Sequence, residues 1–215
     1  DVNGNSTTCT TIIAVEDTVA PIALCTNVVV QLDATGNGTT TAAAVNNGSN
    51  DACGIQSLIL SQTAFVCAEV GTNTEVLTVT DVNGNSATCT TIINVQDNVA
   101  PVAVCQNITV QLDPSGNASI TASQVNNGSS DACGIQSLSL NQSAFLCQNV
   151  GPNTILLTVT DVNGNAATCT SIVLVEDTVA PVAVCQNVTI QLDNAGNGNT
   201  VVSAVNSGSN DACGI

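Results

Sequence analysis

Apolar and polar side chains alternate along several short stretches of this chain, and clusters of Asn, Gly, Asp and Ser separate the stretches. Residues 107–112 read Asn-Ile-Thr-Val-Gln-Leu, and residues 155–160 have the same character. A two-residue period is typical of β-strands that bury one face. Because no stretch has the spacing of an amphipathic helix, the pattern predicts an all-β protein.

The pattern recurs at one fixed interval and without insertions. Asp-Val-Asn-Gly-Asn begins at Asp1, Asp81 and Asp161. Asp-Ala-Cys-Gly-Ile begins at Asp51, Asp131 and Asp211. Self-similarity at a single period of about 80 residues indicates an array of tandem repeats.

The Ala-Pro steps of the repeat are the most natural domain boundaries. Proline suits the first residue of a new edge strand and discourages continuation of the previous strand. These steps predict complete domains at residues 21–100 and 101–180. Residues 1–20 are then expected to be the C-terminal part of a preceding repeat, and residues 181–215 the N-terminal part of a following one. The chain is expected to be a segment of a longer array.

Each complete repeat is predicted to be an immunoglobulin-like β-sandwich. Turn clusters at intervals of roughly 8 to 12 residues suggest a Greek key of about seven strands. The core is expected to be small, because Phe65 and Phe145 are the only large rings in the chain. Domains of this size bury a modest fraction of their surface, so covalent cross-links are expected to add stability.

Eleven cysteines at regular spacing, without any His or Cys-x-x-Cys pair, favour disulfides over structural zinc and indicate an oxidising, extracellular compartment. The four cysteines of a repeat permit three connectivities. In an immunoglobulin-like sandwich the first and last strands start at the same end and run parallel, which favours Cys25 with Cys89 and leaves Cys53 with Cys67. The corresponding cysteines of the second repeat are Cys105 with Cys169 and Cys133 with Cys147. Cys9, Cys185 and Cys213 are expected to lack partners within this chain.

The composition narrows the range of functions. The chain has no Lys, Arg, His, Trp, Tyr or Met, and its 16 acidic residues give a net charge of −16. Without a cation, the carboxylates must be balanced by water, sodium or a divalent metal, and nucleic acid is a poor partner. The usual bases and nucleophiles are missing, so we expect no enzyme. No apolar run reaches the roughly 18 residues of a membrane span, so we expect no direct membrane insertion and no signal peptide in this segment.

The acidic loops are candidates for calcium. In the predicted sandwich, Asp17, the loop at Asp51 and the turn at Asp81 lie at the same end of a domain, where the next domain begins. Calcium prefers six to eight hard oxygen ligands, which Asp carboxylates and Asn carbonyls supply. The candidate ligands are Asp17, Asp51, Asp81, Asn83, Asn85, Asp97, Asp131, Asp161, Asn163, Asn165, Asp177 and Asp211.

A simpler interpretation of the same loops stays open. Asn-Gly between two alternating strands is a strong hairpin-turn signal, and Asp and Asn stabilise turns through their own backbones. The loop at Asp81 is not an EF-hand, because its twelfth position is Ile92. Asp33 and Asp113, in turns predicted at the opposite end, are weaker calcium candidates.

The motifs Ala-Pro-x-Ala-x-Cys, Asp-Ala-Cys-Gly-Ile and Leu-Thr-Val-Thr-Asp-Val-Asn-Gly-Asn together resemble bacterial hyalin-type (HYR-like) repeats over the whole chain. Such repeats are immunoglobulin-like modules in long cell-surface proteins of Bacteroidota, including gliding-motility adhesins exported by type IX secretion. The resemblance implies a bacterial cell surface as the location. It also implies O-glycosylation at Asp-Thr-Val, which here gives Thr18 and Thr178 as candidates, whereas the middle junction has Asn98 instead.

Three functions are compatible with these features. The first is a structural stalk or filament segment of an adhesin, whose partners are neighbouring repeats of the same chain. The alternative is a repeat-borne module that binds a polysaccharide, with or without calcium. Self-association of chains into filaments is the third, although the negative charge opposes it unless a cation screens the repulsion.

Overall fold

A computed structural model describes residues 1–215 of the chain, which divide into two compact units, Asp1–Val99 and Ala100–Ile215. Each unit contains one small β-sandwich, and the elements of the second repeat those of the first in the same order. The division lies one residue before the predicted boundary at Pro101. The four-part organisation into repeats stays a prediction, because each terminal segment groups with its neighbouring sandwich.

Six strands form each sandwich. In the first unit they are β1 (Val28–Gln31), β2 (Asn37–Thr39), β3 (Ile55–Leu60), β4 (Ala64–Val66), β5 (Gly71–Asp81) and β6 (Ser86–Gln96). In the second they are β7 (Ile108–Gln111), β8 (Asn117–Ser119), β9 (Ile135–Leu140), β10 (Ala144–Leu146), β11 (Gly151–Asp161) and β12 (Ala166–Glu176). One-turn helices α1 (Ala42–Val45), α2 (Ala122–Val125) and α3 (Val202–Val205) and 3-10 turns at Cys67–Glu69 and Cys147–Asn149 complete the list.

The strands of each unit form one large and one small sheet. In the first unit the order of the large sheet is β1-β6-β5-β3, and β2 pairs with β4. The second unit repeats this order with β7-β12-β11-β9 and with β8 beside β10. The first strand runs parallel to the last, with Val28 opposite Ile93 and Gln31 opposite Gln96. The predicted all-β, immunoglobulin-like sandwich is therefore confirmed, and so is the parallel pairing of its outer strands.

The core lies between the two sheets. In β5 the buried residues Leu77, Val79 and Asp81 alternate with more exposed ones, as a two-residue period requires. In the second unit Phe145 packs in one cluster with Val125 of α2 and with residues of both long strands. Phe65 and Phe145 are both buried, so their predicted place in the core is confirmed.

The structure differs from the predicted Greek key in two respects. A seventh strand after Pro21 is absent, and only isolated bridges at Ile22 and Cys25 occur there. The one-turn helix at Ala42–Val45, which no periodicity announced, begins where the Thr41 hydroxyl accepts a hydrogen bond from the Ala44 amide at 3.2 Å. Four residues are too few for a helical pattern to be visible in a sequence.

The disulfides correct half of the expected connectivity. Cys25 is bonded to Cys89 and Cys105 to Cys169, which are the favoured pairs. Cys147 is bonded to Cys213 rather than to Cys133, and Cys213 therefore has a partner.

Cys53 is a free, exposed thiol, so its expected bond to Cys67 is wrong. Cys67 and Cys133 are disulfide-bonded, whereas Cys9 and Cys185 are free, as expected. Spacing alone could not decide these pairs, because Cys53 and Cys67 lie on loops whose positions the strand order leaves open. No helix of the structure has the length and hydrophobicity needed to cross a membrane.

The alternation in β5 predicts losses of stability of very different size for two neighbouring substitutions. Leu77→Ala should lower the free energy of unfolding of the first unit by about 2 to 5 kcal/mol, because Leu77 is fully buried and the substitution leaves a cavity. Val76→Ala is the matched control, since Val76 is 37% exposed on the other face, and should cost less than about 1 kcal/mol. Calorimetry suits the measurement, because the chain has no Trp or Tyr. Equal losses for the two variants would contradict this assignment of faces.

Candidate functional site

Three side chains from distant parts of the first unit meet at one end of its sandwich. A carboxylate oxygen of Asp17, one of Asp51 and the Sγ atom of Cys53 lie within 4.8 Å of one another. The Asp51 carboxylate also accepts a hydrogen bond from the Cys53 amide at 2.7 Å, and the Asp17 carboxylate accepts one from the Val19 amide at 3.0 Å. Both carboxylates are thus held in short turns and are only partly buried.

The turn between β5 and β6 lies beside this group. The side-chain amide of Asn85 donates a hydrogen bond to the backbone oxygen of Asp17 at 3.1 Å. From the sequence we expect Asp17, the Asp51 loop and the Asp81 turn to share one end of the domain. This expectation is confirmed by the contacts.

Asp81 itself points inward and supports its own turn. The residue is fully buried, and its Oδ1 accepts hydrogen bonds from the amides of Asn83 and Asn85 at 2.9 and 2.8 Å. Its Oδ2 accepts one from the Asn85 side chain at 2.9 Å. Burial raises the pKa of the Asp81 carboxyl, but the hydrogen bonds from Asn85, Asn83 and Gly84 outweigh burial and hold the pKa below its ordinary value.

Asp161 repeats this arrangement in the second unit, with the amides of Asn163 and Asn165 donating to Oδ1 at 2.9 and 2.8 Å. Asp161 is also fully buried. The turn interpretation therefore describes Asp81 and Asp161 better than calcium ligation does, since each carboxylate already accepts three hydrogen bonds inside the fold.

The turns at Asp33 and Asp113 follow the same rule at the surface. The Asp33 carboxylate accepts hydrogen bonds from the Thr35 hydroxyl at 2.6 Å and from the Thr35 amide at 2.8 Å. The Thr35 side chain and the backbone amides of Asn37 and Thr35 lower the pKa of Asp33. Asp113 accepts from the amides of Ser115 and Asn117 at 2.8 and 3.0 Å. These carboxylates are turn residues, and neither belongs to a group of three or more side chains that could hold a metal ion.

The second unit repeats the three-residue group with Asp177, Asp211 and Cys213. The Cys213 sulfur is bonded to Cys147, so it is no thiolate ligand, and two carboxylates are left. The other two predicted ligands of this class have local contacts of the same kind. Asp97 accepts a hydrogen bond from the Val99 amide at 3.1 Å, and Asp131 accepts one from the Cys133 amide at 2.8 Å.

The neighbouring carboxylates change the chemistry of the Cys53 thiol. A hydrogen bond to Asp17, the charge of Asp17, and then burial and the charges of Asp51 and Asp81 raise the pKa of Cys53 above its ordinary value. Thiolate is the reactive and metal-binding form of cysteine, so a raised pKa makes a poor nucleophile and a poor zinc ligand. The pair of carboxylates, in contrast, has the hard oxygen chemistry that calcium prefers, although two carboxylates leave most of its coordination positions to water or backbone oxygens.

An open cavity of ≈ 320 Å³ adjoins this group. Its walls are formed by Asp17, Val19, Ala20, Ile22, Asn50, Asp51, Ala52 and Cys53. The walls carry apolar side chains that are unusually accessible, since Val19 is 69% exposed and Ile22 is 59% exposed. Cys53 thus lies on a small apolar surface that no other part of the first unit covers.

Thr18 and Thr178, the candidate glycosylation sites, are exposed, and the Thr178 hydroxyl lies 3.3 Å from the Gln111 side-chain oxygen. Their modification stays a prediction. One functional feature is not predicted from the sequence, namely the bond between Cys147 and Cys213 beside Gly116. The only sequence signal for it was the glycine of the Asp-x-x-Gly-Asn turn, which is equally explained by turn geometry.

No protein-family model matches the chain, and no curated protein matches its sequence. Similar solved structures include the protocadherin GammaB4 extracellular domain, at 14% identity over 78% of this chain and a TM-score of 0.37. Human protocadherin-24 EC1-2 is 13% identical over 74% of this chain and all of that one, with a TM-score of 0.39. Drosophila N-cadherin EC1-4 is 12% identical over 74% of this chain and 50% of that one, with a TM-score of 0.40.

This chain spans only 34% of the length of the protocadherin GammaB4 structure. Because all of these TM-scores are below 0.5, we draw nothing about function from the likenesses. The resemblance to hyalin-type repeats accordingly rests on the residue pattern alone.

The environment of Asp81 predicts a pH-dependent contribution to stability. Since the folded pKa of Asp81 is lowered, its ionised form stabilises the first unit above the ordinary pKa of about 3.9, and this stabilisation is lost as the pH falls through the lower folded value. Asp81→Asn should therefore lower the melting temperature at pH 7, and the difference from the unaltered chain should shrink below about pH 4. Asp81→Asn also turns an amide toward the Asn85 amide, which removes one acceptor.

The measurement is a series of calorimetric melting curves between about pH 3 and pH 7. Val82→Ala, at the exposed neighbouring position, is the control and should leave the curve unchanged. A difference between Asp81→Asn and the unaltered chain that is constant over the whole range would contradict the assignment.

Proposed function

We propose that this chain is a load-bearing segment of an extracellular stalk or filament, made of tandem immunoglobulin-like repeats of the hyalin type on a bacterial surface. The observation that carries the proposal is the disulfide between the start and the end of each sandwich. Cys25 lies just before β1, and Cys89 lies in β6, the last strand. Cys105 and Cys169 have the same positions in the second unit.

This cross-link determines which part of a domain bears tension. When the two ends of the chain are pulled, the force enters before β1 and leaves after β6. The bond between Cys25 and Cys89 passes the force directly from the segment before β1 to β6. The residues between Cys25 and Cys89, which include β1 to β5, are then outside this force path, so force along it does not pull directly on these strands.

The geometry of the outer strands supports the same role. When the disulfide is reduced, β1 enters the force path, and because β1 and β6 are parallel neighbours, pulling on the chain then loads their hydrogen bonds together rather than opening them one by one. Side chains extend this contact beyond the backbone ladder. The Thr91 hydroxyl donates to the Thr26 backbone oxygen at 2.7 Å, and the Ile92 amide donates to the Asn27 side chain at 2.9 Å.

The extracellular location follows from the cysteines. Eight of the eleven are in disulfides, which persist in oxidising compartments. The absence of Lys and Arg leaves no cleavage site for trypsin-like proteases, which suits a filament outside a cell.

The alternative role in polysaccharide binding has less support. Sugar sites usually present an exposed aromatic platform. Phe65 and Phe145 are 1% and 0% exposed, so neither ring is available at the surface. No observation favours a sugar site elsewhere, and the stalk is the function that we propose.

Single-molecule pulling on the chain tests the force path. In reductant, unfolding should release the loops between Cys25 and Cys89 and between Cys105 and Cys169, each closed over a sequence separation of 64. At about 3.5 Å per residue, each released loop adds roughly 220 Å of contour length. The oxidised chain should lack these increments, because the disulfides hold the loops closed.

Cys53→Ser is the control for the pulling experiment, because it removes a cysteine that forms no bond, and it should leave both sets of traces unchanged. Extensions of roughly 220 Å per domain in the oxidised chain would show that the disulfides do not carry the load, and the stalk proposal would fall.

Calcium is the cation that this proposal assigns to the carboxylates of Asp17 and Asp51. With about 1 mM calcium and a dissociation constant of roughly 10 to 100 μM, binding should add roughly 1.4 to 2.7 kcal/mol to the stability of the first unit, which raises its melting temperature by several degrees relative to excess chelator. Asp51→Asn should abolish the increase. Asp33→Asn, which alters a carboxylate outside the group, should preserve it.

Sodium chloride at matched ionic strength distinguishes binding from screening of the negative charge. A calcium effect that sodium reproduces, or one that survives Asp51→Asn, would remove calcium from the proposal and leave the disulfide-braced stalk in place.

A further inference from the structure

The bond between Cys147 and Cys213 joins two different repeats in the predicted organisation. Cys147 follows β10, inside the sandwich of residues 101–180, whereas Cys213 lies in the segment 181–215. The two residues are 66 positions apart, and their Cα atoms are 5.1 Å apart. A cysteine of one repeat is thus cross-linked to a cysteine in the N-terminal part of the next.

A glycine turn packs directly on this bond. Gly116, in the turn between β7 and β8, has a φ angle of +76°, and a Cβ atom there would lie 2.6 Å from the Cys147 Sγ atom. The same position is 3.3 Å from the Ala212 Cβ atom and 3.6 Å from the Cys213 Sγ atom. The turn at Gly116, which has no side chain at that position, therefore packs closely against the small residues Ala212 and Cys213.

The first unit carries the same Ala-Cys step without a partner. A shift by two repeats places Ala212 on Ala52 and Cys213 on Cys53. The local conformation is also the same, because the Cys53 amide donates to Asp51 at 2.7 Å and the Cys213 amide donates to Asp211 at 2.8 Å. Cys53, however, is a free and exposed thiol at the edge of the ≈ 320 Å³ cavity.

We propose that the Ala52–Cys53 surface is a docking site for another repeat of this kind, and that Cys53 forms a disulfide with that repeat's cysteine of the Cys147 class. The incoming turn of the Gly116 class fits against Ala52, as it does against Ala212. The exposed side chain of Val19 beside Cys53 gives the incoming repeat further contact area, since Val19 is 69% exposed whereas its counterpart Val179 is partly buried.

The bond forms by thiol–disulfide exchange. Cys53 and the incoming cysteine each lose one proton, and together they lose two electrons to a small-molecule disulfide such as oxidised glutathione. The small-molecule disulfide is reduced to two thiols, and one sulfur–sulfur bond forms between the repeats. No other oxidant is needed.

Cross-linking between two versions of the full chain tests the proposal. The acceptor carries Cys9→Ser and Cys185→Ser, so that Cys53 is its only free thiol. The donor carries Ser at Cys9, Cys53, Cys185 and Cys213, which leaves Cys147 free, together with Ala212→Leu, whose larger side chain displaces the terminal segment from Gly116. The two chains are mixed in a buffer of reduced and oxidised glutathione, and covalent dimers are measured under non-reducing conditions.

We expect a dimer joined through Cys53 and Cys147, identified by peptide mass mapping, to form at least ten times faster than with a control acceptor whose only free thiol is Cys9. Ala52→Leu in the acceptor should slow the reaction to the rate of the control. It should not change how fast Cys53 reacts with a small thiol reagent, which separates docking from intrinsic reactivity.

Equal rates for the Cys53 and Cys9 acceptors, or a rate that Ala52→Leu leaves unchanged, would overturn the proposal. A second donor without the Ala212→Leu change, checked for intact bonds at Cys25–Cys89 and Cys105–Cys169, guards against a misfolded first donor. The inference rests on the tandem-repeat part of the proposed function. Its failure would leave the pulling experiment unaffected, because that experiment depends only on the disulfides within each sandwich.

Discussion

The bond between the segment before β1 and the strand β6 is the constraint on which each sandwich depends. β1 is only four residues long and lies at the edge of the large sheet, so few hydrogen bonds hold it in place. Closing a loop of about 64 residues reduces the entropy of the unfolded chain and contributes about 4 kcal/mol in the loop-closure account. Net stabilities of small domains are typically about 5 to 15 kcal/mol, so this one bond is a large share of the total.

The charge of the chain imposes the second constraint. With no side-chain cation available, a buried carboxylate must be stabilised by hydrogen-bond donors, and the turn at Asp81 supplies them from the backbone and from Asn85. The Asp-Val-Asn-Gly-Asn motif therefore has a structural purpose in the β5–β6 hairpin. It also explains why a motif rich in carboxylate and amide oxygens need not bind a metal. A cation site requires oxygens that are free to turn outward, and in the first unit Asp17 and Asp51 meet this condition better than Asp81 does.

The sequence predicted the parts of the structure that local pattern controls. The two-residue alternation located the long strands, and the known order of an immunoglobulin-like sandwich placed Cys25 beside Cys89. The same order brought Asp17, Asp51 and the Asp81 turn to one end. The partner of Cys147 was not predictable in this way, because the nearer Cys133 and the more distant Cys213 both lie on loops. Which of them it meets depends on how a repeat packs against the following segment, and neither alternation nor spacing encodes that packing. The one-turn helix α1 escaped prediction because four residues show no period.

The two disulfides of the second unit overlap along the chain, and this overlap has a mechanical consequence. The loop from Cys105 to Cys169 and the loop from Cys147 to Cys213 share the residues between Cys147 and Cys169. Two covalent routes lead from Cys169 to Cys213. One follows the backbone forward, and the other runs back along the backbone to Cys147 and then crosses the disulfide to Cys213. The forward route contains twice as many residues as the route through Cys147. At about 3.5 Å per residue, the greatest possible extension between these points falls from roughly 150 Å to roughly 80 Å. If both disulfides lay within the sandwich, the segment after Glu176 could stretch to its full length when the chain is pulled. The overlapping pair of disulfides limits that extension. The overlap therefore limits how far the segment after the sandwich can extend, and it does so by sharing the load with the residues between Cys147 and Cys169, which include β11.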